Sequence, residues 1–250
     1  GRMPADQETI RYTGVYGESD DGPYLMREVL GGGSGGRYYA DGEDTIHIVP
    51  DSRNIPAEFA EARWPFIVER LGLAVDSGGP GKFRGGLGYD KRIRMLRDAS
   101  FMSIADRSIL SCWGVNGGRA GRPFRVDIDG EEMDGLVDGH PVRAGQVIRI
   151  RTTGGGGWGD PLDRDPARVA ADVRDGKVSV EGARDDYGVV VHGGAGEEVT
   201  VDEEATTALR ERLRAERGPV PFFDRGPGYA VLSGGRTRAD VDDLDPPPGA

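Results

Sequence analysis

The sequence predicts an α+β fold: a mainly antiparallel β core with glycine-rich loops, followed by a helical C-terminal portion. Three observations carry that expectation. Glycine supplies 42 of the 250 residues, and glycine at this density favours short strands joined by tight turns over a helical bundle. The segment Val147-Ile148-Arg149-Ile150-Arg151 alternates apolar and charged side chains, the period of a strand with one wet face. Beyond residue 160 the pattern changes to capped helical segments. The chain therefore divides into a glycine-rich mainly-β region over 1–160, a helical or αβ region over 161–218, and an extended, partly disordered tail over 219–250.

The predicted strands, in order, cover residues 24–30, 45–49, 66–75, 92–96, 108–113, 124–128 and 147–152. A short helix is expected over 57–63, where good helix formers follow Pro56 and Pro65 stops them. Asp165-Pro166 opens a second helix, with Asp as N-cap and Pro at the first helical position, and Gly176 ends it. A third helix covers 180–186 and stops at Gly188, a strand follows at 189–191, and a fourth helix covers 205–217 with Leu209 and Leu213 on one side. The end, 241–248, has the acidic, proline-rich composition of a disordered tail.

The most informative stretch is Asp76-Ser77-Gly78-Gly79-Pro80-Gly81-Lys82-Phe83-Arg84-Gly85-Gly86-Leu87-Gly88. Its glycines bracket an aspartate, a lysine and an arginine, which implies a shaped loop and not a flexible linker. A phosphate-binding P-loop is excluded by spacing. Gly81-Lys82 would need a glycine where Asp76 stands and a hydroxyl residue where Phe83 stands. Gly154, Gly156 and Gly159 match a dinucleotide pattern, with Glu181 as the later acidic residue. However, Asp160-Pro161 separates them from the next helix start, so a pyrophosphate would not sit on a helix N-terminus.

Other constellations are weaker. His47 with Asp51, and Asp138 with His140, are close Asp/His pairs better read as turn or surface residues than as metal ligands. No G-x-S-x-G elbow is present. Asn54 can cap the helix after Pro56 and Glu58 lies in its first turn, although the two also offer a polar pair to the glycine loops. Cys112 is the only cysteine, which excludes an internal disulfide and reads as a small buried residue. A net charge of −11 disfavours nucleic acid and anionic membrane as partners. No apolar run has the length of a membrane span and no signal peptide is visible, so the cytoplasm is the expected compartment.

Several motifs then recur in a definite order. They are Gly31–Arg37 with Asp41, Asn54-x-Pro56-x-Glu58, the 76–88 segment, Gly154-Gly155-Gly156-Gly157-Trp158-Gly159-Asp160-Pro161, Asp165-Pro166 through Gly176, Val178-Ser179-Val180-Glu181, and Asp186-Tyr187-Gly188-Val189-Val190. In this order, over roughly 28–192, the chain resembles the hydantoinase B/oxoprolinase family. The resemblance implies a B-type subunit, or the C-terminal part of a fused enzyme. It would act with an A-type subunit that holds ATP and Mg²⁺ and phosphorylates an amide or carbonyl oxygen. The B part completes hydrolysis of a cyclic amide of 5-oxoproline, hydantoin or lactam type, or, in a ketone carboxylase branch, carboxylation of acetone or acetophenone.

The family's B subunits run to about twice this length, and the motifs correspond to their C-terminal half. The expected partners are therefore an A-type subunit, the N-terminal half of the B subunit if that is split off, and a small-molecule substrate, in a hetero-oligomer. No cofactor is expected on this chain, and any divalent metal is expected in the N-terminal half. Within this chain Arg84 and Lys82 are candidates for anion contacts, and Asp76, Asn54 and Glu58 for orienting or acid–base roles. Ser77, Gly78, Gly79, Gly85, Gly86, Gly155 and Gly156 are candidates to bind substrate or a developing anion through backbone N–H groups. The rival expectation is a non-catalytic module that scaffolds a partner.

Overall fold

Two antiparallel sheets pack face to face. In the computed structural model, which describes residues 2–7, 11–47 and 52–234, the first sheet begins with a hairpin. Strand β1 (Arg11–Ser19) turns at Gly22, where φ is +105°, into β2 (Gly22–Val29). The second sheet includes β3 (Phe66–Leu73) and β4 (Tyr89–Met95), which flank the 76–88 segment. Strand β5 (Ala99–Ala105) returns to the first sheet. After the two-residue β6 (Gly114–Val115) come β7 (Arg125–Ile128), β8 (Glu131–Met133), β9 (Leu136–Val142) and β10 (Val147–Arg151). The orders are β2-β1-β5-β9 and β3-β4-β10-β7-β8.

Strand alternation places the apolar residues between the sheets. Val15, Met26 and Phe101 from the first sheet meet Phe66, Ile93, Met95, Val126 and Ile148 from the second in one core. Inside this sandwich the Lys91 ammonium on β4 donates to the Glu28 carboxylate on β2. The second Glu28 oxygen accepts the Ile55 N–H at 2.8 Å, so the buried charges are paired and hydrogen-bonded. The outer face of the first sheet carries Tyr16, Leu25, Met102, Ile104 and Leu136. Of these Leu25, Ile104 and Leu136 are half or more exposed.

The expected helices form. Helix α1 (Ala57–Arg63) follows Pro56, and α2 (Pro166–Arg174) is capped by the Asp165 carboxylate, which accepts from Ala167 N at 2.9 Å. Helix α3 (Val180–Tyr187) ends at Gly188 in the left-handed conformation. Short strands β11 (Val191–His192) and β12 (Thr200–Val201) lead to α4 (Glu203–Glu216). This helix starts two residues earlier than its apolar spacing suggests, because Asp202 caps it through Ala205 N. Val169, Val173, Ala183, Tyr187 and Val189 give these elements a core of their own. Strand β13 (Phe223–Asp224) pairs with β6, and α5 (Gly228–Leu232) ends the described chain.

Some strand expectations need correction. Residues 108–113 form no strand; their backbone is drawn to other loops, with Gly121 N donating to Cys112 O and Asp6 N to Trp113 O. Cys112 itself is fully buried. In the expected 45–49 strand, Ile46 makes only an isolated bridge to Gly32, and 48–49 lie outside the described residues. The 189–191 strand begins only at Val191. Of the extended tail expected over 219–250, residues 219–234 carry β13 and α5, and the rest, with 241–248, lies outside the described residues.

Candidate functional site

Glycine tracts from four parts of the chain, 31–36, 78–88, 114–121 and 154–159, assemble at one end of the sandwich, and their backbones bond to one another. Gly33 N donates to Thr153 O, Gly86 N to Ser34 O, Gly155 N to Gly86 O, Gly79 N to Gly155 O, and Gly36 N to Gly156 O, all at 2.8–2.9 Å. Phe83 and Trp158 exchange N–H···O bonds at 3.0 and 2.9 Å. The spacing requires glycine. A Cβ on Gly33 would lie 1.8 Å from the Gly86 oxygen, and one on Gly155 would lie 1.9 Å from the Ser34 oxygen. The tract 154–159 runs through this bundle and is followed by a single 3-10 turn over Pro161–Asp163, whose start is capped by the Asp160 carboxylate; the first α-helix after it, α2, opens only at Pro166.

The same bonding determines what the 76–88 segment can offer. Among its N–H groups, Gly85 donates to Gly79 O and Lys82 to Gly159 O. Those of Gly88, Arg84 and Leu87 go to Ser77 Oγ, the Asp41 carboxylate and the Asp44 carboxylate. Gly156 N donates to Asp6 O. These amides are committed inside the protein. Ser77 is buried and ties the segment to the end of β3, its hydroxyl donating to Ala74 O at 2.6 Å.

Arg84 is 2% exposed and lies among fixed charges. It donates to Gly85 O at 2.6 Å and lies 3.4 Å from Asp44 and 3.6 Å from Asp172. Arg164, missed in the sequence, is the centre of this network. It holds both Asp41 oxygens at 2.6 and 2.9 Å, Asp172 at 2.7 Å, and the Lys82 carbonyl at 3.2 Å. Lys177 closes it on Asp44 at 2.9 Å. Burial alone would raise the carboxyls of Asp41 and Asp44. The arginines reverse this, with Arg164 and Arg84 holding Asp41, and Arg84, the Leu87 amide and Lys177 holding Asp44, below the usual carboxylate range. The network joins the glycine bundle to α2.

Asp76 stands at the other seam, with φ at +60°. Its N–H donates to Lys177 O, and its Oδ1 accepts the Ser179 N–H at 2.8 Å, at the start of α3. Lys82 is exposed. Asn54 and Glu58 are placed elsewhere: the Asn54 oxygen lies 3.1 Å from His47 Nε2, Glu58 is exposed on α1, and the N-cap of that helix is Pro56, with no side-chain cap. Asp51 lies outside the described residues. Tyr16 donates to Asp138 at 3.2 Å. Among the described residues no group of three or more His, Cys, Asp or Glu is arranged as a metal site.

Of the predicted site residues, Asp76 and Ser77 line a cleft of about 670 Å³, whose lining also includes Arg119, Arg122, Asp186 and Asp224. Arg119 pairs with Asp186 at 2.8 Å, and Arg122 Nε donates to the Asp76 carbonyl at 3.2 Å. Burial keeps the Asp186 carboxyl above its ordinary range, against the pull of Arg119 and Arg122 and with the repulsion of Asp76. Both arginines were missed in the sequence because their partners lie 46 and 67 positions away. A second cleft, of about 760 Å³, lies between residues 3–7, Arg107, Trp113 and Phe223. Asp6 and Arg107 pair in it at 2.8 Å.

Residues 1–161 match the family model of hydantoinase B/oxoprolinase. The B subunit of a putative D-/L-hydantoinase from a Pseudomonas species is 32% identical over 217 residues, covering 84% of this chain and 36% of that protein. The beta chain of the caprolactamase of Pseudomonas jessenii is 38% identical over 165 residues, 61% of this chain and 27% of that protein. The acetone carboxylase alpha subunit of Xanthobacter autotrophicus is 30% identical over 220 residues, 70% and 28%. Among solved structures, a nucleotide-free acetone carboxylase has the same fold, with a TM-score of 0.75 over 96% of this chain and 37% of that one, at 23% identity. The ATP-dependent caprolactamase of Pseudomonas jessenii gives a TM-score of 0.67 at 27% identity, over 83% and 38%. The chain thus spans about a third of the length of the relatives it matches. Among the described residues no helix is long and apolar enough to cross a membrane.

Proposed function

Because the chain belongs to the hydantoinase B/oxoprolinase family, we propose that it forms the C-terminal part of a B-type subunit. That polypeptide acts with an ATP-binding A-type subunit to hydrolyse a cyclic amide of 5-oxoproline, hydantoin or lactam type. The observation that carries this reading is the likeness to the caprolactamase beta chain, at 38% identity over 165 residues. ATP on the partner supplies activation of the amide oxygen, and the remainder of the B-type polypeptide completes the site.

This chain contributes walls. Its glycine bundle fixes the seam with the helical region, and Asp76 and Ser77 sit where that seam opens into the arginine-lined cleft. The buried Arg84 and the committed glycine amides serve the rigidity of that wall, which holds a site in one geometry. The likeness to the acetone carboxylase alpha subunit, over 70% of this chain, favours ketone carboxylation as the second reading.

Reconstitution with an A-type subunit and the remaining B-type polypeptide separates the two. ATP-dependent ring opening of 5-oxoproline, hydantoin or caprolactam is the expected result. Bicarbonate-dependent consumption of acetone without ring opening would replace it with the second reading, and full ATP-dependent turnover with residues 76–88 scrambled in a folded chain would leave only a scaffold.

A further inference from the structure

The cleft beside Asp76 is lined by equal numbers of arginines and carboxylates, but they are not equally engaged. Arg125 is closed on Glu132 at 2.8 Å and Arg151 on Asp127 at 3.0 Å. Asp224 accepts the Ala120 and Gly226 amides, both at 2.9 Å, one on each oxygen. Four groups keep capacity. The Arg122 side chain, exposed at the cleft, makes one hydrogen bond, from Nε, so both terminal nitrogens of its planar fork are uncommitted among the described residues. Arg119 holds Asp186 through one nitrogen only. Asp186 and Asp76 each have one carboxylate oxygen engaged and one without a hydrogen bond among the described residues.

Spare guanidinium donors and spare carboxylate acceptors therefore share one cavity. A dianion such as phosphate would gain from Arg122 and lose to Asp76 and Asp186. A ligand carrying both charges satisfies both sides. We propose that this cleft binds a zwitterionic amino acid, its carboxylate on the Arg122 fork with Arg119 beside it and its ammonium on Asp186 and Asp76.

The inference rests on the cyclic-amide reading and narrows it. Hydrolysis adds one water across the ring C–N bond. The carbonyl carbon becomes a carboxylic acid and the ring nitrogen an amine, and transfer of the acid proton to that amine gives carboxylate and ammonium on one chain. A lactam opens to such a zwitterion, whereas an opened hydantoin keeps an uncharged carbamoyl nitrogen. The cleft is a product site suited to lactam-type substrates, and its volume of about 670 Å³ accommodates a small amino acid.

The test is calorimetric and NMR titration of the 250-residue chain with 6-aminohexanoate, hexanoate, hexylamine and inorganic phosphate. The zwitterion should bind about tenfold more tightly than either singly charged analogue, the effect of one added charge contact. Arg122→Ala and Arg122→Gln should each weaken it by a similar factor, with circular dichroism unchanged. Asp186→Asn should weaken 6-aminohexanoate but not hexanoate, which should bind at least as tightly once the repelling carboxylate is neutral. Equal binding of hexanoate or phosphate, unchanged affinity in both Arg122 variants, or no binding at millimolar ligand would overturn the proposal. These titrations require no turnover. A null result beside ATP-dependent ring opening by the assembled enzyme removes only the cleft assignment, and selective binding without ring opening removes only the enzymatic reading.

Discussion

Arg164 grips Asp41 with both terminal nitrogens, at 2.6 and 2.9 Å, across 123 positions of sequence. The same guanidinium reaches Asp172 on α2 and is 1% exposed. Removing it leaves two largely buried carboxylates without their main counter-charge. Arg164→Met should therefore cost about 3–5 kcal/mol in denaturant unfolding. Arg164→Lys should recover little, because an ammonium cannot span both Asp41 oxygens in the fork geometry.

The same network predicts acid sensitivity. Asp41 and Asp44 are held below the usual range in the folded chain, while in the unfolded chain they titrate near ~3.9. In the window between those values the unfolded state binds more protons. The stabilisation is thus fully present above about pH 4 and is lost as pH falls through the depressed folded values. Urea unfolding at a series of pH values should show the loss. Asp41→Asn should be less stable at neutral pH and should flatten the acid limb.

What the sequence made legible was local. The Asp165-Pro166 start and the Gly188 stop are each decided by neighbouring backbone, and both appear as read. Strands β1 and β5 were missed because Gly14 and Gly17 weaken strand propensity in β1, and their pairing with each other, far apart in sequence, supplies what propensity lacks. The family was legible because its glycines recur in order. Their task was not, since a glycine that could offer its amide to a ligand reads the same as one lying under another tract's carbonyl. Arg164, Arg119 and Arg122 gave no signal at all, their roles being set by partners tens of residues away.

Close approach in the glycine bundle yields a contrast between two alanine substitutions. At Gly155 the new Cβ would stand 1.9 Å from the Ser34 carbonyl oxygen, backbone against backbone, with no side chain able to yield. Gly155→Ala should cost at least about 3 kcal/mol or prevent folding. Among the described residues Gly194 has nothing nearer than 3.8 Å to its would-be Cβ, and Gly194→Ala should change stability by less than about 1 kcal/mol. Thermal unfolding of the two variants side by side gives the comparison.

Asp76 combines a structural bond with a place at the cleft, and two substitutions tell these apart. Its Oδ1 accepts the Ser179 amide where α3 begins, and its backbone sits at φ +60°. Asparagine keeps an acceptor oxygen and tolerates that left-handed conformation, so Asp76→Asn should unfold within about 0.5 kcal/mol of the parent. Alanine loses the acceptor and dislikes the conformation, so Asp76→Ala should lose about 2 kcal/mol. In the assembled enzyme the carboxylate charge is what the asparagine variant lacks. If Asp76 serves only as a structural tie, Asp76→Asn keeps kcat/KM; if its charge works in the cleft, kcat/KM falls while stability does not.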